Sequence, residues 1–226
     1  KPMTLKKLWI WNLVLMFLPL VITLMILPHL PNQIPAHYGF DGQVDRWGSK
    51  YETLVVPLLA VITGGILLLA AKFAGKAEDG GQNNRRVTLL GSIIALLVFN
   101  AMTLYFLYTD MAQVTDLTAL HLDLFQLLFG LWGVGMVILG HIMPKLRRNS
   151  LVGLRTPWSQ SSEVVWKKSQ RVGGILFMAA GILMIVFCFL LKGVWCFVAG
   201  ILVILVGSMV AVWYSYWAAK RYGKAE

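Results

Sequence analysis

Charge is scarce in this 226-residue chain: Asp, Glu, Lys and Arg make up 13% of it, about half the share of a soluble domain. Acids are scarcer than bases, 10 against 20. Cysteine is limited to Cys188 and Cys196, both in apolar surroundings, which gives no disulfide framework. The sequence has no P-loop, no Rossmann glycine motif, no nucleophile elbow and no H-E-x-x-H zinc signature. It also shows no internal repeat of the kind that builds pseudo-symmetric transporters. No ionisable residue falls near the middle of an apolar run, which weakens proton-relay and ion-pump readings. The chain is therefore expected to be no enzyme, with no catalytic residues, no cofactor and no metal.

What fills the sequence instead is apolar residues, 58% of the total, gathered into blocks of the length that crosses about 30 Å of hydrocarbon. The six blocks are Leu8–Leu27, Leu54–Phe73, Val87–Tyr108, Leu122–Met143, Val172–Leu191 and Val194–Trp217. Only helices or closed barrels satisfy the backbone in lipid, and runs without two-residue alternation favour helices. Pro28 and Pro144 stand where the first and fourth helices should stop. Lys6 and Lys7 precede the first block as in a signal peptide, but it lacks a small-residue cleavage site and Trp9 to Leu27 can span. The expected fold is all-α: a polytopic, six-transmembrane-helix bundle.

Orientation follows from the bases. With the N-terminus inside, Arg46, Lys50 and Lys192 are the Lys and Arg residues left outside, and the other 17 of the 20 lie inside. The positive-inside rule then sets both termini in the cytoplasm. Six acids fall outside (Asp41, Asp45, Glu52, Asp110, Asp116 and Asp123) and four inside. The net charge of +10 reads as orientation and attraction to lipid headgroups, with no direct nucleic-acid binding.

Three connections have character. His29 to Thr53 is too long for a simple turn; Gly39-Phe-Asp-Gly42 and Trp47-Gly48-Ser49 read as tight turns in a small extracytoplasmic cap. Gly75 to Arg86 looks flexible. Lys145 to Arg171 mixes charge with Leu151, Leu154, Trp158, Val164, Val165 and Trp166, the pattern of an ordered amphipathic segment at the inner surface. The organisation expected is an N-terminal helix pair over 1–74 with its cap over 28–53, a cytoplasmic linker over 75–86, and a four-helix region over 87–226 containing the ordered segment 145–171.

Two stretches carry a family resemblance. Leu30-Pro-Asn-Gln-Ile-Pro35-Ala-His37-Tyr, continued by Gly42-Gln-Val-Asp45-Arg-Trp47-Gly-Ser-Lys50, resembles the N-terminal domain of unknown function typical of SdpI-type proteins. Asn149-Ser-Leu-Val-Gly153-Leu-Arg155-Thr156-Pro157-Trp158-Ser159, then Glu163-Val-Val-Trp166, resembles the hallmark segment of that family, bacterial immunity and signal-transduction proteins of the cytoplasmic membrane. The resemblance implies two jobs: protection of a producer cell against a secreted peptide toxin, and retention of a cytoplasmic winged-helix repressor at the membrane. A small-solute transporter or channel is the alternative, and a membrane-embedded enzyme a second.

The residues themselves leave several readings open. Pro157 suits a helix start with Ser159 or Ser161 as cap and Glu163 in the first turn. Trp158 and Trp166 would then anchor that helix at the headgroups, and Arg155 would bind loop carbonyls and lipid phosphate or dock a cytoplasmic partner. In the cap, Pro35, His37, Gly42, Asp45, Trp47 and Lys50 are the residues to watch, with His37 and Asp45 in hydrogen bonds and Lys50 paired to an acid. His37, Asp41 and Asp45 could instead ligate a metal, although Gly39 and Gly42 argue against the helix such spacing needs. Asp110, Asp116 and Asp123 would offer a cationic peptide its first contacts. Asn12, Asn100, Gln126 and His141 are the intramembrane polar residues expected to face the bundle, and Gly64, Gly65, Gly130, Gly133, Gly173, Gly174, Gly181, Gly200 and Gly207 to let helices approach closely.

Overall fold

Apolar runs in lipid become helices because their backbone N–H and C=O groups have only one another as partners. The computed structural model describes residues 3–74, 81–149 and 152–223. Among the described residues there are six helices long and apolar enough to cross a membrane: α1 (Leu5–Ile26), α2 (Val55–Ala74), α3 (Gly81–Ala112), α4 (Leu124–Ile142), α5 (Glu163–Leu190) and α6 (Gly193–Tyr222). The chain is a multi-pass, all-α membrane protein. Thr4, Asp123 and Ser162 cap α1, α4 and α5 by accepting from the N–H groups of Lys7, Gln126 and Val165, which satisfies donors a helix start leaves open. Pro28 and Pro144 sit in the 3-10 turns Leu27–His29 and Met143–Lys145 that finish α1 and α4, as the sequence predicts.

Two inner ends correct the sequence reading. Helix α3 begins at Gly81, so Gly81–Arg86 is helix and not flexible linker; residues 75–80 of that linker lie outside the described residues, as does Leu151 of the inner segment. Helix α5 begins at Glu163, so the second half of the 145–171 segment is the inner end of a transmembrane helix. Pro157 lies in a turn and starts no helix; the cap is Ser162, not Ser159 or Ser161. Hydropathy marks where lipid ends, and a helix continues past that point into the headgroups.

The outer connection between α1 and α2 is a β-hairpin, the strand element added to the helical fold. Strands β1 (Gln33–Tyr38) and β2 (Val44–Ser49) pair antiparallel, Gln33 opposite Ser49 and Tyr38 opposite Val44, with irregular register between Pro35 and Tyr38. Gly39–Gly42 makes the expected turn: Gly42 sits at φ +81° and its N–H donates to Gly39 O at 2.9 Å. Trp47-Gly48-Ser49 makes no turn; it is β2, paired with Gln33–Pro35. Ser49 and Glu52 form a capping box for the following 3-10 turn, Lys50–Leu54. The loop after α3 completes the cap, with Val44 N–H donating to Thr115 O and Leu117 N–H to Gly42 O.

Three apolar clusters hold the bundle, one of them Val87, Leu146 and Trp166 between α3 and α5. Leu8, Leu15, Leu68, Leu89 and Leu96 join α1, α2 and α3; Met136, Ala180, Met184 and Val203 join α4, α5 and α6. Helices α4 and α5 meet glycine to glycine. A Cβ at Gly140 would stand 2.6 Å from Gly174 O, and one at Gly181 2.5 Å from Gly133 O. Gly64 and Gly200 are closed by Met16 and Phe129, whereas Gly65 and Gly130 face open space and Gly207 makes ordinary contact.

Candidate functional site

The inner segment is fixed by hydrogen bonds from helices on either side. Gln170 of α5, fully buried, accepts from Leu154 N–H at 3.0 Å and donates to Leu154 O at 2.9 Å. Ser159 Oγ donates to the same carbonyl at 2.8 Å and accepts from Thr156 N–H at 2.9 Å, while Ser159 N–H donates to Thr156 Oγ1. Thr156 Oγ1 lies 2.8 Å from Ser215 Oγ of α6. Asn149 accepts from Val152 N–H at 2.7 Å. Gly153 adopts φ +100°, and a Cβ there would come within 2.5 Å of Gln170 Oε1, so the motif needs glycine at this place. Arg155, exposed, is presented between two pinned neighbours.

The two motif tryptophans part company. Trp158 is 39% exposed, its ring edge-on to Tyr216 at 5.3 Å. Trp166 is 0% exposed, so it is no headgroup anchor. It packs with Val87 and Leu146 and its Nε1 donates to Leu146 O at 2.8 Å. Glu163 stands 3.8 Å from Arg148 Nε.

In the outer cap, His37 Nδ1 and Asp45 Oδ1 lie 2.6 Å apart, both exposed. Pro35 and Gly42 are buried and Trp47 exposed. Among the ion pairs of the described residues none holds Lys50, which was expected to pair with an acid; Glu52 binds Arg46 at 2.8 Å and holds its guanidinium above the ordinary value. Asp41 accepts from Gln43 N–H in its own turn. Among the described residues no three His, Cys, Asp or Glu side chains gather as a metal site. Tyr38 OH donates to Val114 O at 2.9 Å, and burial pushes its phenol up.

The three acids expected as first contacts are not one surface. Asp116 is partly exposed and held below the usual carboxylate range by the Thr118 hydroxyl, 2.7 Å away. Asp123 is 2% exposed and spent on structure, accepting from Gln126 N–H and from Gly193 N–H at 2.8 Å. Asp110 is also 2% exposed. It lines a cavity of about 610 Å³ between the hairpin and the outer ends of α2, α3 and α4. Helix-end capping and packing under the cap consume acids that charge counting assigns to a surface.

The intramembrane amides are interhelical ties. Asn12 Nδ2 donates to Leu8 O and Leu89 O, linking α1 to α3. Asn100 Nδ2 donates to Leu15 O and Leu96 O. Gln126 Nε2 donates to Cys188 O and Leu191 O, at the outer end of α5. His141 is exposed and does not face the bundle; it lies in the last turn of α4. Sequence reasoning missed Gln170 and Ser215, each a common polar residue in a helix, and Phe40, whose ring meets Phe197 of α6 at 5.6 Å; it read Ser159 as a helix cap, where it instead bonds Leu154 and Thr156.

Comparison with known proteins matches residues 145–215 to the SdpI/YfhL protein family and residues 14–61 to a domain of unknown function, DUF1648. Immunity protein SdpI of Bacillus subtilis is 22% identical over 211 residues, 93% of this chain and 95% of that protein. An uncharacterised protein of Archaeoglobus fulgidus is 35% identical over 61 residues, 27% of this chain and 33% of that one. No solved structure matches. The resemblance to SdpI-type membrane immunity proteins thus holds in both parts of the chain.

Proposed function

We propose that this chain is an immunity protein of the bacterial cytoplasmic membrane that protects against a secreted peptide toxin and signals its presence inward. The observation that carries this is the end-to-end similarity to an immunity protein, over 93% of this chain. The cap and the inner motif support the signalling half because α6 touches both. Phe197, near its outer end, packs on Phe40 of the hairpin, and Ser215, near its inner end, bonds Thr156 of the motif. The eighteen helical steps from one to the other span about 27 Å. A toxin that moves the hairpin bears on α6, and α6 bears on the segment that presents Arg155 to a cytoplasmic winged-helix repressor.

The test is survival and membrane potential of sensitive bacteria, with and without this protein, exposed to a secreted membrane-depolarising peptide. Retained potential in expressing cells is the expected outcome. Collapse despite correctly inserted protein overturns the immunity reading.

A further inference from the structure

We propose that the cavity under the hairpin receives the ammonium or guanidinium group of an apolar peptide, with Asp110 as its counter-ion. This rests on the immunity reading only in taking the peptide to be a secreted one. The cavity's volume, about 610 Å³, falls in the range of sites that enclose a ligand group. Its walls include Val55, Val56, Phe106 and Phe125, which suit an apolar body. Its charged rim is already paired, Arg46 to Glu52 and His37 to Asp45.

Asp110 is the acid left over. It is 98% buried, from an exposure of 2%, and Thr53 lies alongside it as a hydrogen-bond partner. Its Oδ2 has no hydrogen-bond partner. A buried carboxyl oxygen without a donor costs free energy that an incoming cation returns, whereas a neutral group leaves most of it and an anion adds to it. The occupant is a peptide because the same pocket joins a charged base to apolar walls at the outer ends of membrane-spanning helices. The outer face also carries six acids against three bases, which draws cationic chains toward it.

The experiment uses the full chain in nanodiscs of phosphatidylcholine and phosphatidylglycerol, whose headgroups offer no primary amine. The probes are a leucine-rich peptide with N- and C-termini blocked and one lysine, and its norleucine counterpart. Binding is read by fluorescence anisotropy over that of empty nanodiscs. The lysine peptide is expected to bind about tenfold tighter or more, and Asp110→Asn to erase that preference while Asp116→Asn keeps it. Val56→Trp, which fills the cavity and leaves Asp110 in place, is expected to weaken both peptides and serves if Asp110→Asn fails to fold. An unchanged preference in Asp110→Asn, or unchanged binding in Val56→Trp, overturns the site. Loss of the preference once phosphatidylethanolamine is added reassigns the site to a lipid ammonium and overturns the peptide assignment. Protection of cells without any lysine preference overturns this site alone; a lysine preference without protection keeps the site and overturns the immunity reading.

Discussion

Gln170 grips Leu154 by both of its main-chain groups, accepting from the N–H at 3.0 Å and donating to the carbonyl at 2.9 Å. One carboxamide on α5 thus replaces the backbone partner that the inner segment would find in a strand. Replacing it with leucine leaves the half-buried Leu154 N–H without its acceptor, a loss of about 1–3 kcal/mol. That is about fivefold to 150-fold in the local opening equilibrium. The expected outcome for Gln170→Leu is faster tryptic cleavage after Arg155 by a factor in that range, with global helicity by circular dichroism unchanged. Equal cleavage rates would mean that Ser159 and Asn149 suffice to hold the segment.

The α4–α5 seam makes a second prediction. Gly140 and Gly174 present backbone to backbone, so an added methyl meets a carbonyl oxygen at 2.6 or 2.5 Å and no side-chain rotation relieves it. The helices must part along the seam. Gly140→Ala and Gly174→Ala are each expected to destabilise by about 1–3 kcal/mol, read by thermal unfolding in detergent. Gly130→Ala points into open space and is expected to be neutral or to stabilise by up to about 1 kcal/mol through helix propensity.

The six helices were legible because lipid imposes one rule on every span: about 20 apolar residues with bases gathered on one side. The hairpin was legible only at Gly39–Gly42, since Trp47-Gly48-Ser49 acquires its strand character from Gln33–Pro35 opposite, a partner that local sequence does not declare. The cap residues His37 and Asp45 do meet, as read. Asp110 and Asp123 looked like surface because charge counting ignores depth; capping and packing draw both inward. Gln170 was invisible for a related reason. Its chemistry depends on Leu154, 16 residues away, and one glutamine in a helix has no distinctive spacing.

Cys188 and Cys196 make a third prediction. Their sulfur atoms lie 3.7 Å apart across the α5–α6 turn, and both are buried. A disulfide needs about 2.05 Å, so closing the pair asks for about 1.7 Å of approach. Copper phenanthroline is expected to form an intramolecular disulfide, read as the loss of two hydrogens in intact mass, and Cys196→Ser to abolish it. Two free thiols after prolonged oxidation would show that burial keeps the oxidant away.

Arg155 separates the two halves of the proposed function. Its neighbours are pinned independently of its side chain, Leu154 by Gln170 and Thr156 by Ser159. Truncation therefore leaves the hydrogen bonds of Leu154 and Thr156 in place while removing the cation between them. For Arg155→Ala the expected result is a protein that still inserts and unfolds cooperatively, since the hydrogen bonds of Leu154 and Thr156 remain. Membrane potential under toxin should be preserved, and retention of the repressor at the membrane should be lost by at least tenfold in a fractionation assay, since a charge-assisted contact is worth about 1.5–3 kcal/mol. Arg155→Lys keeps the charge but not the planar fork. Recovery of retention by lysine would assign the contact to charge alone, and failure to recover it would assign it to bidentate geometry. Loss of protection together with retention in Arg155→Ala, accompanied by a fall in melting temperature, would make Arg155 a support of the fold and move the docking surface elsewhere on the inner face.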